Sequence, residues 1–209
     1  MTHLYLVRHG ETAWHAEGRY PGQANPVLND EGEAQAYRLA EAFDELAIDA
    51  VYTSDLARAW DTAKRIVNGK MLILPDARWR DLSYGEWEGR RFEEVAVSDG
   101  ERFQAWANDP IHVSPPGGES LMELAQRVTA AAEDICRQHP DGNVLIVTHG
   151  SPIRCLVAEW VLGGLHRISD VSTVLGGVTL MTVQLPPDGK GKPIAQVTEC
   201  DILRGVRLR

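Results

Sequence analysis

Short apolar segments of strand length alternate with longer segments of helical pattern along most of this chain. The predicted strands are His3–Val7, Ala50–Thr53, Met71–Leu74, Asn143–Thr148, Val178–Leu185 and Ile194–Cys200. The predicted helices cover Glu31–Leu46, Leu56 to about Val67, Leu121–Gln138, and Pro152 to about Leu162. This alternation predicts an α/β fold of three layers, in which a mostly parallel central sheet carries helices on both faces.

Polar residues before each predicted helix are spaced as helix caps. The expected caps are Asp30 with Glu33, Ser54 or Asp55, Ser120 with Glu123, and Ser151 followed by Pro152. Each of these side chains would satisfy backbone N–H groups that a helix leaves unpaired in its first turn.

Length and composition indicate one globular domain over residues 1–209. The apolar fraction is 44% and the charged fraction 24%, as in globular proteins that bury one core without disulfides. No apolar run approaches the roughly 20 residues of a membrane span, and the N-terminus has no signal-peptide pattern. We therefore expect a cytoplasmic protein without a membrane partner.

Charge and cysteine content argue against a nucleic-acid-binding protein and against a disulfide-stabilised one. The net charge of −9, without a basic stripe, argues against nucleic acid as a partner. Any phosphate site must then be a local cluster of cations in a repelling field. The widely spaced Cys136, Cys155 and Cys200 predict reduced, buried thiols. The sequence leaves the oligomeric state open, with a homodimer as the first hypothesis.

Two predicted strands end directly on a His-Gly pair. The first runs into Arg8-His9-Gly10 and the second into His149-Gly150. Ligands bind at the carboxyl ends of parallel strands, so adjacent strands would bring the two histidines into one crevice. Arginine there indicates a phosphate or carboxylate ligand, and the helix after His149 would add an N-terminal anion site. An ordinary loop and a buried core histidine are the alternative interpretations.

Arg58 follows a third predicted strand. It lies in the first turn of a helix, where a cation opposes the helix dipole, and a cation placed there usually binds an anion. The alternative is a surface arginine paired with Asp55 or Asp61.

Six segments resemble, in order, the motifs of the histidine phosphatase superfamily, the group related to cofactor-dependent phosphoglycerate mutase. They are LVRHGETAW (6–14), the stretch from Gly18 to Gly32, SDLARAWDTA (54–63), RDLSYGEWEG (80–89), PGGES (116–120) and VTHG (147–150). The resemblance implies a phosphoglycerate mutase-like fold and phosphoryl-transfer chemistry.

The resemblance also implies roles for matching residues. His9 would attack phosphorus and form a phosphohistidine, with its other ring nitrogen bound to a backbone carbonyl, expected at Gly10. Arg8, Arg58 and a cationic His149 would bind the phosphoryl oxygens. No metal and no cofactor are expected. The further predicted phosphate- or substrate-binding residues are Thr12, His15, Gly22, Gln23 and Gly150.

Two positions depart from the family pattern. Asp81 stands where relatives carry the glutamate that serves as acid and base, and its side chain is one methylene shorter. Either the backbone compensates, or Glu86 or Glu88 takes part, or turnover is slow; a helix or turn cap is the alternative role. His15 stands where relatives commonly carry a phosphate-binding asparagine, and a surface histidine is the alternative.

Residues 90–116 are expected to form a short lid over the site. The lid resembles that of broad-specificity phosphatases, including those acting on α-ribazole phosphate, phosphoserine or small sugar phosphates, whereas mutases carry a longer insertion. Its mixed charges show no second anion site, which disfavours bisphosphate substrates. Specificity is expected from residues 18–27, 92–116 and 165–177. Trp79, Trp87 and Trp106 are predicted core residues, with a pocket or lid role as the alternative.

The prediction is a metal-independent phosphomonoesterase that acts on a small phosphorylated metabolite. The alternatives are a phosphoglycerate mutase-type phosphotransferase and a weakly active protein that binds phosphate esters or regulates through them.

Overall fold

A computed structural model describes residues 1–187, 191–198 and the backbone of 206–208. The strands are β1 Thr2–Arg8, β2 Ala50–Thr53, β3 Ile73–Pro75, β4 Asn143–Thr148, β5 Val171–Thr173, β6 Val178–Gln184, β7 Ile194–Thr198 and β8 Val206–Leu208. The α-helices are α1 Ala13–Ala16, α2 Asp30–Phe43, α3 Ala57–Val67, α4 Phe92–Ser98, α5 Gly100–Asn108, α6 Leu121–Gln138 and α7 Gly150–Trp160. Short 3₁₀ helices cover Ala77–Trp79, Gly85–Trp87 and Leu165–Asp170.

A six-stranded mixed sheet in the order β3-β2-β4-β1-β6-β7 forms the middle layer. The strands β3, β2, β4 and β1 are parallel, whereas β6 and β7 run antiparallel to their neighbours. Alternate residues of β1 face opposite sides: Leu4 and Leu6 pack in the cluster that includes α6 and α7, and Val7 packs with α2 and α3. The predicted three-layer α/β fold is confirmed.

Most predicted elements are confirmed with small shifts at their ends, and the Ser120–Glu123 capping box is present. Three other predicted caps are wrong. Asn29, not Asp30, caps α2, because its side chain accepts a hydrogen bond from the N–H of Gly32. Leu56 precedes α3 without a side-chain cap, and α7 begins at Gly150 with His149 at the N-cap, two residues earlier than predicted.

The strand ends also differ locally from the prediction. The predicted strand Met71–Leu74 lies instead at Ile73–Pro75, so that Pro75 is part of β3. An edge strand such as β3 tolerates proline, which lacks the backbone N–H, because one side of the strand makes no ladder hydrogen bonds. The predicted strand Ile194–Cys200 is present to Thr198, and Glu199 and Cys200 lie outside the described residues. Cys136 and Cys155 are free and buried, as predicted.

Residues 90–116 contain α4 and α5, two short helices that the sequence analysis did not predict. Phe103 and Trp106 of α5 pack against a buried cluster of Tyr20, Trp87 and Val95. Trp79 and Trp87 are fully buried, which confirms them as core residues. Among the described residues, no helix is both long and apolar enough to cross a membrane.

Candidate active site

His9 lies fully buried at the carboxyl end of β1. Because β1 and β4 are parallel neighbours, the N–H of His9 donates to the carbonyl of Thr148 at 3.0 Å. His149 directly follows the last residue of β4, and the centroids of the His9 and His149 rings lie 4.9 Å apart. The sheet therefore brings the two histidines into one crevice, as the sequence predicts.

The ring of His9 has one nitrogen tied to the backbone and one facing the crevice. Its Nδ1 lies 2.6 Å from the carbonyl oxygen of Gly10, and since a carbonyl only accepts, Nδ1 carries the proton. Its Nε2 accepts a hydrogen bond of 3.1 Å from Nε of Arg58. Burial, reinforced by the charge of Arg58, lowers the pKa of His9 well below its usual value. His9 is thus a neutral imidazole with the lone pair of Nε2 directed into the site.

The loop after His9 is held by contacts that the sequence analysis missed. The N–H of Gly10 donates to Oγ1 of Thr62 at 3.2 Å, and that hydroxyl donates to the carbonyl of Arg58 at 2.7 Å. A Cβ on Gly10 would lie 2.4 Å from the carbonyl oxygen of Gly32, so only glycine fits. These contacts fix the carbonyl that orients His9.

Arg58 is fully buried and held over His9 by backbone carbonyls. Its Nη1 donates to Ala24 at 2.8 Å and its Nη2 to Gly22 at 2.6 Å. Its charge partner is Asp81, whose Oδ2 lies 3.6 Å from Nη2. The alternative pairing of Arg58 with Asp55 or Asp61 is wrong, because Asp55 instead accepts hydrogen bonds from Arg80.

Arg8 reaches the same crevice from the end of β1. Its Nη1 donates to the carbonyl of Thr173 at 3.0 Å, while its buried Nε has no partner among the residues described. A Cβ on Gly150 would lie 3.2 Å from that Nε and 3.1 Å from Oγ1 of Thr173. Gly150 therefore provides the space that Arg8 occupies.

His149 presents an unpartnered nitrogen to the crevice. Its Nε2 lies 2.8 Å from Oγ of Ser54, which also accepts from the N–H of Leu56 at 3.3 Å. We assign the Ser54 hydroxyl as donor to Nε2, which leaves Nδ1–H without a partner in the described structure. Burial, together with the charge of Arg58, lowers the pKa of His149 well below its usual value. The prediction of a cationic His149 is therefore wrong, because burial and the charge of Arg58 both disfavour the imidazolium.

Asp81 is the carboxylate that the fold places beside these groups. Its Oδ2 lies 3.6 Å from Nη2 of Arg58 and 4.0 Å from Nδ1 of His149. Oε1 of Glu88 instead accepts from the N–H groups of Gln23 at 2.9 Å and Tyr84 at 3.1 Å. Glu86 is 67% exposed and lies 3.8 Å from Arg102. The geometry favours Asp81 over both glutamates.

Arg127, which the sequence analysis did not single out, holds the segment that carries Asp81. Its Nη1 donates to the carbonyls of Arg78 and Arg80, both at 2.7 Å, and its Nη2 donates to the carbonyl of Asp81 at 2.9 Å. Glu119 of the PGGES segment pairs with the guanidinium and accepts from the N–H of Ser83. The resemblance of the PGGES segment to a family motif was the available signal, but no sequence rule links that segment to Arg127.

The other predicted binding residues lie around the same centre. Nδ1 of His15 is 2.8 Å from Oγ1 of Thr12, and the His15 ring lies 5.2 Å from that of His9. Burial, with help from the charges of Arg8 and Arg58, lowers the pKa of His15 to about 3. The side-chain amide of Gln23 lies 3.4 Å from the carbonyl of Asp81, and Gly22 contacts Arg58. Phosphate binding by these residues stays a prediction.

A cavity of about 510 Å³ opens beside Arg8, His15, Asp81 and Gly150. Each of the three predicted specificity segments contributes to its wall, through Pro21, Phe92 and Ser169 among others. The cavity is large enough for a small metabolite.

The neutral histidines make folding stability depend on pH. The folded pKa values of His9, His149 and His15 lie below the unfolded value near 6.5, so the unfolded chain binds more protons between those values. The free energy of unfolding should be highest above about pH 7 and fall by up to about 1.4 kcal/mol per pH unit for each histidine as pH decreases below 6.5.

Urea unfolding at pH 7.5, 6.5 and 5.5 measures this dependence. His15→Asn should make the slope shallower by about one proton. An identical slope in the wild type and His15→Asn would contradict a neutral His15.

Gly150→Ala should displace Arg8 and lower kcat/KM for a phosphate monoester by about 10²-fold, because a misplacement near 1 Å has effects of this size. Gly100→Ala is the matched control, since a Cβ there meets nothing within 4 Å. Steady-state hydrolysis of p-nitrophenyl phosphate measures both variants. Wild-type kcat/KM in Gly150→Ala would show that Arg8 does not depend on this space.

Comparison with known proteins matches the chain to one family. The model of the histidine phosphatase superfamily (branch 1) matches residues 4–187. Phosphoserine phosphatase 1 of Hydrogenobacter thermophilus is 35% identical over 157 residues, 75% of this chain and 74% of that protein. A probable phosphoglycerate mutase, GpmB, of Escherichia coli is 39% identical over 165 residues, 78% of this chain and 76% of its own length.

A solved structure extends the likeness over nearly the whole chain. The putative alpha-ribazole-5′-P phosphatase of Escherichia coli superimposes with a TM-score of 0.84 at 25% identity and covers 99% of both chains. The chain belongs to the histidine phosphatase superfamily.

Proposed function

We propose that this protein is a metal-independent phosphomonoesterase that hydrolyses small phosphate monoesters through a phosphohistidine on His9. The observation that carries the proposal is the state of His9: neutral, with Nδ1–H bound to the carbonyl of Gly10 and Nε2 facing the crevice. A phosphoserine phosphatase and a putative α-ribazole phosphatase among the relatives support hydrolysis as the reaction.

In the first step, Nε2 of His9 attacks phosphorus and the bond to the ester oxygen breaks. Asp81 in its protonated form gives its proton to the departing alkoxide. Nε–H of Arg58 transfers its hydrogen bond from Nε2 to a phosphoryl oxygen, and Arg8 and Nδ1–H of His149 bind the other oxygens. The carbonyl of Gly10 stabilises the positive charge that develops on the ring of His9.

In the second step, water attacks the phosphohistidine. The Asp81 carboxylate takes a proton from that water, the N–P bond breaks, and His9 returns to its neutral form while phosphate is released. Asp81 is then protonated for the next cycle. Both steps place negative charge where Arg8 and Arg58 already lie, so the protein supplies the positive charge that other phosphatases obtain from metal ions.

Residues 90–116 act in this proposal as a short lid that belongs to the single domain 1–209. Phe92 of α4 lines the cavity, and α5 is anchored to Trp87 through Trp106, whose ring centroids lie 5.6 Å apart. A phosphoglycerate mutase-type phosphotransferase is the second candidate, favoured by the likeness to GpmB. Hydrolysis and transfer share the first step and differ in whether water or a second substrate takes the phosphoryl group.

Hydrolysis of p-nitrophenyl phosphate with EDTA present, followed as both p-nitrophenol and inorganic phosphate, tests the proposal. We expect turnover that EDTA does not reduce, with equal yields of the two products. In a separate assay, transfer of a phosphoryl group from 2,3-bisphosphoglycerate to 3-phosphoglycerate, with little release of inorganic phosphate, would support the mutase. Binding of phosphate esters without turnover would support a binding or regulatory protein.

A further inference from the structure

Arg154 on α7 lines the cavity beside the proposed phosphoryl site. Its Nε donates to the carbonyl of Val171 at 2.9 Å, and its Nη2 donates to the carbonyl of Ile168 at 3.0 Å. These carbonyls orient the guanidinium but carry no net charge. Two of its three nitrogens are thus anchored, while its positive charge is not neutralised by them.

The charge of Arg154 lacks an acidic partner. Of the three arginines that line the cavity, Arg19 pairs with Glu17 at 2.6 Å, whereas Arg8 and Arg154 form no ion pair within the described parts of the chain. Asp81 is the one carboxylate among the lining residues described, and its neighbours are Arg58 and His149. The phosphoryl group accounts for Arg8. Arg154 is left as an oriented cation in a protein of net charge −9.

The position of Arg154 places its charge in the same cavity as Arg8. Arg154 lies four positions after Gly150 on α7, and a Cβ at Gly150 would lie 3.2 Å from Nε of Arg8. Residues at this spacing lie on one helix face. The cavity therefore offers two cations to one small ligand, which suits a phosphate ester that carries a second anionic group. Ser151, Ser169 and Tyr84 add hydroxyl groups to the same cavity.

We propose that Arg154 binds a carboxylate of the substrate, so that the preferred substrates are phosphate monoesters of small hydroxy or amino acids. This inference rests on the proposed phosphatase function and specifies its substrate class. The lid sequence disfavoured a second anion site, but the residue that supplies one here lies on α7, outside the lid.

The test compares two pairs of substrates that differ only in the carboxylate. O-phosphoserine is compared with O-phosphoethanolamine, and 3-phosphoglycerate with glycerol 3-phosphate, in the wild type, Arg154→Gln, Arg154→Lys and Arg19→Gln. Arg154→Gln should lower kcat/KM for the carboxylates by about 10- to 100-fold, the effect of one charged hydrogen bond, and change it less than about threefold for their partners. Arg154→Lys should restore part of the ratio, and Arg19→Gln should leave it at the wild-type value.

Equal losses for both members of a pair would overturn the proposal, since they would show that Arg154 only supports the Ile168–Val171 segment. An unchanged ratio in Arg154→Gln would overturn it as well. If the wild type hydrolyses p-nitrophenyl phosphate but neither carboxylate ester, the proposal for Arg154 is overturned while the proposed function stands. If it hydrolyses neither p-nitrophenyl phosphate nor any of the four esters, the proposed function fails, and calorimetric binding of the same pairs to the wild type and Arg154→Gln then decides on the subsite. A binding ratio that does not depend on Arg154 overturns it.

Discussion

Replacement of His9 by alanine is expected to lower kcat for p-nitrophenyl phosphate by about 10⁴-fold or more, the size seen when a covalent nucleophile is removed from a hydrolase. The physical reason is that Nε2 of His9 is the neutral nitrogen that faces the crevice with its proton on the opposite side. Initial rates with the purified variant measure the loss.

His3→Ala is the matched control for this variant, because His3 lies at the opposite end of the same strand. It should keep wild-type kcat. His9→Ala should also still bind inorganic phosphate, since Arg8, Arg58 and His149 remain. Hydrolysis at the wild-type rate in His9→Ala would contradict a phosphohistidine mechanism.

Asp81→Asn is expected to affect the two half-reactions differently. An asparagine neither protonates the leaving alkoxide nor accepts a proton from water, so turnover of an alkyl phosphate should fall by about 10²–10⁴-fold. With p-nitrophenyl phosphate the leaving group needs no proton, so the first step should continue while hydrolysis of the phosphoenzyme becomes slow. Pre-steady-state kinetics should show a burst of p-nitrophenol close to one equivalent per site.

Two variants separate Asp81 from the alternative carboxylates. Glu86→Gln alters an exposed group next to Arg102 and should leave the kinetics unchanged. Asp81→Glu should retain activity, because the carboxylate remains and only its reach changes. A wild-type rate in Asp81→Asn with an alkyl phosphate would exclude Asp81 as the acid and base.

Strand periodicity predicted two strands that end on His-Gly, and the resemblance to the family supplied the roles of the two histidines. The α/β alternation predicts a parallel sheet but not its strand order. The adjacency of β1 and β4, which places His9 beside His149, comes from the structure. The actual role of Ser54, which does not cap α3, was not predictable in the same way. Its hydroxyl satisfies Nε2 of a histidine far along the chain instead of the first turn of α3, a choice made by tertiary contacts.

The contacts that support the site were not predictable from the sequence either, because they join residues that are far apart in the chain. Arg127 donates hydrogen bonds to backbone carbonyls of the segment that carries Asp81, which lies more than 40 positions earlier in the chain. The helical periodicity of the sequence indicates only that Arg127 belongs to α6. In the sequence, Arg154 is an ordinary residue of a predicted helix. Its orientation depends on the carbonyls of Ile168 and Val171, whose positions are known only from the structure. The charge of His149 depends on burial among arginines, which a sequence pattern does not measure.

The phosphoenzyme itself tests the central claim most directly. Asp81→Asn is mixed with p-nitrophenyl phosphate, quenched in alkali within the burst, and the peptide that carries the phosphoryl group is identified by mass spectrometry. The account predicts one phosphoryl group on His9, stable in alkali and lost in acid as a phosphoramidate is, and absent when His9 is alanine. A phosphoryl group on another residue, or a burst without any covalent phosphoenzyme, would contradict it.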